Sequence, residues 1–142
     1  MRQAQHNRER GDWQLKKSYV KKLFERFGKE TSPLGFDIDL FTDGRLADDD
    51  PEIQATSNSQ LPSYYSKTNS AFSPTNLWRG KACYGNGVFD PVFLQQMFEK
   101  AEEEFAADPV NTRYLFVVPV IPTSVWWTYT SSYEVVDELD AD

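Results

Sequence analysis

The sequence has little cysteine, little histidine and no long apolar run, and each shortage excludes a class of protein. Of the 142 residues, one is cysteine (Cys83) and one is histidine (His6). A single cysteine excludes an internal disulfide framework, and this pair alone does not supply the ligands of a zinc site. No apolar run approaches the roughly 20 residues of a membrane helix, and the first residues lack the apolar stretch of a secretory signal. We expect an intracellular protein, in the nucleus or the cytoplasm, with no membrane partner and no metal.

The motifs of common enzymes are also missing. The sequence contains no GxxxxGK[ST] phosphate loop and no GxSxG elbow, and its one histidine lies in a polar, aperiodic segment. Neighbouring carboxylates occur mainly in runs, at residues 48–50 and 102–104, and such runs are typical of solvated faces. General acid-base chemistry therefore has no evident carrier.

Charge is distributed unevenly along the chain. Residues 1–29 hold nine Lys or Arg and three Asp or Glu, whereas residues 30–142 hold six and nineteen. A basic segment can meet phosphate or an acidic protein surface, while an acidic body repels a polyanion. We interpret residues 1–11 as a disordered basic arm that could contact DNA or a protein partner, and residues 137–142 as an acidic tail.

Hydrophobic periodicity predicts one α/β domain over residues 12–136. Apolar side chains recur at helical spacing over residues 18–27, with Ser18 as N-cap and Gly28 as the stop, and residues 36–41 have the composition of a buried strand. Strands at 81–84 and 113–120 flank a helix at 91–107, which Asp90 caps and Pro91 begins. This βαβ pattern predicts a three-layer fold with a mostly parallel sheet.

A long polar segment, residues 45–80, separates the first predicted strand from the βαβ unit. A connection of this length with few periodic apolar positions is unusual in a compact domain, so we expect an insertion, a binding loop or the most mobile ordered segment. Its aromatic residues are expected to pin it to the body: Tyr64, Tyr65, Phe72 and Trp78.

Ligands of open α/β sheets bind outside the carboxyl ends of the strands. Two loops of this chain qualify, the one after residues 36–41, which carries Asp39, and the one at residues 85–90, which precedes a helix N-terminus. In the simpler interpretation, Gly85 and Gly87 only form the turn. In the functional one, the Asn86 side chain faces a cleft bordered by Asp39 and Phe89.

Five segments between residues 12 and 128 carry a family resemblance. Residues 12–28 join Asp-Trp-Gln-Leu to an amphipathic helix ending Arg-Phe-Gly, residues 38–41 read Ile-Asp-Leu-Phe, and residues 60–66 read Gln-Leu-Pro-Ser-Tyr-Tyr-Ser. Residues 83–89 read Cys-Tyr-Gly-Asn-Gly-Val-Phe, and Phe-Val-Val-Pro at 116–119 precedes a tryptophan pair at 126–127. In this order they resemble the phage-type DNA N6-adenine methyltransferase (Dam-like) domain of DIRS-type, tyrosine-recombinase retrotransposons, whose motifs read VDLFA, LPRYYS and CYANPPF or NPPY.

The resemblance implies a Rossmann-like methyltransferase fold, S-adenosylmethionine as cofactor and a flipped adenine as substrate. The NPP[YF] loop accepts hydrogen bonds from the adenine amino group and stacks an aromatic ring on the base. Those roles would fall to Asn86, Gly87, Val88 and Phe89, while Asp39 and Phe41 would lie toward the cofactor.

Two departures from the family pattern weaken the case for catalysis. Gly87 and Val88 replace both prolines of the NPP[YF] loop, so the backbone that positions the amine is no longer rigid. The residue before Ala71, where the family has an acid, is Ser70. The leading hypothesis is a degenerate, non-catalytic module that binds nucleic acid or protein. The alternatives are an active adenine-N6 methyltransferase and a structural accessory subunit of a larger assembly.

Overall fold

The computed structural model describes residues 4–7, 12–42, 59–66 and 68–139, and all structural statements below concern these ranges. They form a small α/β domain whose helices and strands follow one another in this order: β1 (Ala4–Asn7), β2 (Asp12–Leu15), α1 (Lys17–Phe27), β3 (Ile38–Asp39), β4 (Ala82–Gly85), α2 (Pro91–Ala107), β5 (Arg113–Phe116) and a 3₁₀ helix (Val125–Ser132). No helix among the described residues is long and apolar enough to cross a bilayer.

The central sheet is parallel, as the βαβ pattern predicted. Its three strands are ordered β3-β4-β5, with Ile38 opposite Cys83 and Cys83 opposite Tyr114. β3 and β5 are shorter than predicted, whereas β4 has the predicted length and lies one residue later, ending at Gly85. Ladder-like hydrogen bonds continue beyond them, because the Leu40 amide donates to Tyr84 and the Val117 amide donates to Gly85.

The described part of the polar segment adds to the sheet at Tyr64. Tyr64 forms a parallel bridge with Asp39, and the Tyr65 amide donates 3.0 Å to the Asp39 carbonyl. The chain therefore leaves β3 to pair on one side of it, then returns to place β4 on the other. In open α/β sheets, ligands bind where the chain reverses direction in this way, which here is at the carboxyl ends of β3 and β4.

Two hydrophobic clusters cover the two faces of the sheet. Ala82 and Tyr84 of β4 face one cluster, with Val20 and Phe24 of α1, whereas Cys83 faces the other. Strand side chains alternate between faces, which explains this division. The second cluster contains the buried face of α2 and Trp126, which is fully buried.

The ends of the helices show where local sequence signals sufficed. Asp90 caps α2 by accepting a hydrogen bond from the Phe93 amide at 3.0 Å, as predicted. The prediction of Ser18 as the N-cap was wrong. The helix α1 begins at Lys17, and the residue at its N-cap position, Lys16, makes no side-chain capping hydrogen bond. Gly28 ends α1 as predicted, and a Cβ there would lie 2.4 Å from the Gly35 Cα, so close backbone packing requires glycine.

The start of the chain differs from the sequence-based expectation. Residues 1–11 were expected to be a disordered arm, but Ala4–Asn7 pairs antiparallel with Asp12–Leu15. Residues 1–3 and 8–11 lie outside the described residues. The sequence of residues 4–7 lacks the alternation of apolar and polar residues that marks a half-buried strand. The hairpin therefore depends on pairing with the next strand, β2, and not on a local pattern.

The described part of the polar segment, residues 59–66 and 68–80, is anchored as expected through its aromatic side chains. Tyr65 and Trp78 are buried, and the Trp78 indole donates to the Ala71 carbonyl at 3.0 Å. The Lys100 ammonium of α2 donates to three carbonyls of this segment at 2.7–2.9 Å, those of Ala71, Ser73 and Asn76. The rest of the predicted loop, including the aspartates at 48–50, lies outside the described residues.

A buried carboxylate adds a second anchor from α2. Glu104 is 2% exposed and accepts hydrogen bonds from the amides of Trp78 and Arg79 and from the Arg79 guanidinium. Burial opposes its ionisation, but these hydrogen bonds prevail and hold its pKa below the usual value. Within the glutamate run at 102–104, only this residue leaves the solvated face that the sequence predicted.

Candidate functional site

The carboxyl ends of β3 and β4 bring together the two loops that the sequence singled out. Asp39 ends β3, and Asn86 directly follows β4. The N-terminus of α1 is near the same edge. The Lys17 ammonium donates a hydrogen bond of 2.6 Å to the carbonyl of Ser59, and the next residue, Gln60, donates its amide to the Asp39 carboxylate. The carboxyl edge of the sheet therefore carries the polar side chains of the predicted site together with Lys17.

Asp39 is enclosed rather than presented to solvent. It is 1% exposed, and its carboxylate accepts hydrogen bonds from the Gln60 amide at 2.8 Å and the Phe41 amide at 3.3 Å. Burial raises the pKa of Asp39 to about 7, although both amides and the charge of Lys17 act in the opposite direction. Asp39 thus holds residues 59–61 against the sheet and titrates near neutral pH.

Tyr84 lies beside Asp39 and connects it to the Asn86 loop. The two residues are register partners on adjacent strands. The Tyr84 hydroxyl and the Asn86 Oδ1 are both buried, and the Asn86 side chain lies close enough to the tyrosine to act against the effect of burial on its pKa. Burial, followed by the charge of Asp39, raises the Tyr84 pKa, so the phenol stays protonated. Asp39, Tyr84 and Asn86 form one polar cluster, on the α1 side of the sheet.

The glycines of the loop face the other side, toward α2. A Cβ on Gly85 would lie 2.7 Å from the Phe116 ring, and one on Gly87 would lie 2.3 Å from the Phe93 ring. Both would also be 3.2 Å from Phe41. Neither glycine has a positive φ, so close approach of aromatic rings, not backbone conformation, excludes a side chain here.

Three half-buried rings form an aromatic cluster over Gly87. The ring centroids of Phe41 and Phe93 are 4.8 Å apart, those of Phe72 and Phe93 are 5.1 Å apart, and those of Phe41 and Phe72 are 5.5 Å apart. Such spacings are those of favourable aromatic pairs. The ring of Phe41, which the resemblance places toward the cofactor, is therefore packed against protein on several sides.

The residues assigned to catalysis consequently divide between two environments. Asn86 joins the polar cluster on the α1 side, Gly87 lies under the aromatic cluster on the α2 side, Val88 is 37% exposed and Phe89 is half-buried. With Asp39 enclosed and Phe41 packed, neither side chain presents an open contact for S-adenosylmethionine in this arrangement. Within the described ranges, no three His, Cys, Asp or Glu side chains are grouped to hold a metal.

Sequence reasoning missed three members of the site. Tyr84 was included only as part of a motif, Gln60 contributes a backbone amide, and Phe93 was assigned to the core face of a helix. A tyrosine whose strand neighbour is an aspartate is a usable signal once strand register is known. Backbone donors and ring contacts from distant segments leave no signal in the local pattern.

A second concave feature lies at the opposite, amino edge of the sheet. A shallow cavity of about 500 Å³ is lined by residues 28–31 and 109–113. Its cations are already engaged, because Lys29 donates to the Asn111 carbonyl and Arg113 donates to the last carbonyls of α1, at Phe27 and Gly28. The hydrogen bonds from Arg113 satisfy terminal carbonyls of α1, and we assign this cavity no ligand.

Comparison of the chain with family models, with curated proteins and with solved structures finds no match in any of the three. The case for a Dam-like domain therefore rests on the motifs between residues 12 and 128 and on the geometry of the carboxyl edge.

Proposed function

We propose that this chain is a degenerate Dam-like methyltransferase domain, derived from a retrotransposon, that serves as a non-catalytic nucleic-acid-binding module. Two features support a Rossmann-like methyltransferase ancestry: the parallel order of β3, β4 and β5, and the position of the Asn86 loop at the carboxyl ends of β3 and β4. Fold resemblance alone does not establish an activity, so the functional part depends on the site.

The enclosure of the Asn86 loop is the observation that carries the non-catalytic part of the proposal. Methyl transfer in the family needs the asparagine oxygen and the next carbonyl to reach a flipped adenine. Here the Asn86 Oδ1 is buried with Tyr84, and Gly87 lies beneath the ring of Phe93. A displacement of even 1 Å in such a group costs on the order of a hundredfold in rate.

The nucleic-acid part rests on the exposed face of α1. The helix and its N-cap residue carry five exposed cationic side chains and one acidic side chain, that of Glu25. The cations are Lys16, Lys17, Lys21, Lys22 and Arg26. Such a face attracts the phosphate backbone without reading sequence. The basic residues of 1–11, predicted to contact DNA, precede it in the chain.

The proposal is tested by pairing a transfer assay with a binding assay. Tritiated S-adenosylmethionine with adenine-containing duplex DNA should give no labelled DNA, and titration calorimetry should detect no cofactor binding. A fluorescein-labelled 20-mer should bind at low salt, and Lys22→Gln should reduce the salt slope of log K by about 0.9. Lys29→Gln, which removes a cation engaged by carbonyls, is the matched control and should leave the slope unchanged.

Other results would select the alternatives. Labelled adenine would establish an active S-adenosylmethionine-dependent methyltransferase and refute the non-catalytic proposal. Absence of binding to single-stranded and duplex DNA at low salt would refute the nucleic-acid part and favour a protein-binding module or an accessory subunit.

A further inference from the structure

An acidic segment, residues 134–139, lies beside α1, and we call it the strap. Its apolar residues Val136 and Leu139 pack against the hydrophobic cluster that contains the buried residues of α1. Tyr19 and Leu23 of α1 pack against the same cluster. The Tyr19 hydroxyl also donates a hydrogen bond to the Asp137 carboxylate. The strap is thereby held by two half-buried apolar side chains and a polar contact, while its three acids are exposed.

Three of the five cations counted above are neighbours of the α1 residues beside which the strap lies. In a helix, residues three apart are neighbours on the surface. Lys16 and Lys22 therefore flank Tyr19, and Arg26 follows Leu23 on the same side. The acids at 134, 137 and 138 are brought to this side of the helix by the contacts of Val136 and Leu139.

We propose that the strap is an autoinhibitory cover that competes with the phosphates of nucleic acid for the basic face of α1. This inference rests on the nucleic-acid binding proposed above and adds its regulation. The strap neutralises part of the face in the free protein, and a polyanion must displace it or share its cations. Because exposed ion pairs are weak and salt-screened, such a cover is displaceable.

The choice of occupant follows from charge. A second copy of this chain or an acidic protein would also meet a basic face, but a phosphate backbone offers the regular charge spacing that several lysines on one helix can contact together. The body beyond α1 is acidic, so binding is expected to be confined to this face.

The test compares two triple variants with the same change in net charge. Glu134→Gln/Asp137→Asn/Glu138→Gln neutralises the strap, whereas Glu99→Gln/Glu102→Gln/Glu103→Gln neutralises exposed acids of α2, on the opposite face of the sheet. With a labelled 20-mer at fixed low salt, the strap variant should bind on the order of tenfold more tightly than wild type, and the α2 variant within about twofold. Tyr19→Phe, which removes the hydrogen bond without changing charge, should give a smaller increase.

A second readout follows the strap itself. Amide hydrogen exchange over residues 134–139 should accelerate when the unlabelled 20-mer is added to wild type. Equal affinity gains in the two triple variants, or unchanged exchange in the strap while DNA binds, would overturn the autoinhibitory cover and leave DNA binding intact. Absence of binding by wild type and by all three variants would overturn both proposals.

Discussion

Asp39 should make the stability of this domain depend on pH in the direction opposite to that of a surface carboxylate. Its pKa is about 7 in the folded chain, against 3.8 for the free side chain. Because the native state holds the proton more tightly than the unfolded state, stability is greatest below pH 4. It falls as the pH rises through the native pKa and levels off above it.

The size of this effect follows from the difference in pKa. Each unit corresponds to about 1.4 kcal/mol, so a difference of roughly three units costs about 4 kcal/mol when Asp39 is fully ionised. Between pH 5 and pH 8, we expect the free energy of unfolding to fall by about 3 kcal/mol through this group alone.

The assay is urea unfolding of wild type and Asp39→Asn at half-unit steps from pH 5 to pH 8. The amide cannot ionise, so the variant should lack the slope, while other titrating groups are common to both proteins and cancel in the difference. Glu99→Gln, on the exposed face of α2, is the matched control and should follow wild type. Parallel curves for wild type and Asp39→Asn would show that Asp39 is solvated and would refute its enclosure.

Three further predictions test the packing around the site. Gly87→Ala should lower the free energy of unfolding by about 1–3 kcal/mol, because its Cβ would overlap Phe93 at 2.3 Å, and adding Phe93→Leu should recover part of the loss; an unchanged urea midpoint would contradict it. Glu104→Ala should cost about 3 kcal/mol, since two buried amides lose their acceptor, whereas the exposed neighbour Glu103→Ala should cost less than about 0.5. Burial raises the pKa of the Cys83 thiol to about 12, so iodoacetamide at pH 8 should label it only under unfolding conditions, and rapid labelling of the native protein would count against its burial.

The parts of the fold that were predicted correctly depend on local signals. The start of α2 at Pro91, its end at Ala107 and the parallel pairing of β4 with β5 follow from an N-cap, a helical period and a βαβ pattern within 36 residues. The carboxyl-edge position of Asn86 follows from the same reasoning. Each of these features is encoded by residues close together in the chain.

The features that were missed depend on contacts between distant residues. The enclosure of Asp39 comes from the Gln60 amide, 21 residues later, and the covering of Gly87 comes from the rings of Phe41 and Phe93, on two separate segments. The division of the loop between two faces follows from strand alternation, but only once the exact end of β4 is known. A slip of one residue in the pairing register of a strand moves every side chain to the other face, and the register is set by contacts with distant strands.

The three hydrogen bonds that Lys100 donates to carbonyls have a consequence for the order of folding. Those carbonyls lie 24 to 29 residues before the lysine, so their partner exists only once α2 has formed and docked. Residues 71–76 should therefore become ordered late, after the transition state for folding. Lys100→Met should then speed unfolding and leave the folding rate almost unchanged, a φ-value near zero measurable by stopped-flow kinetics.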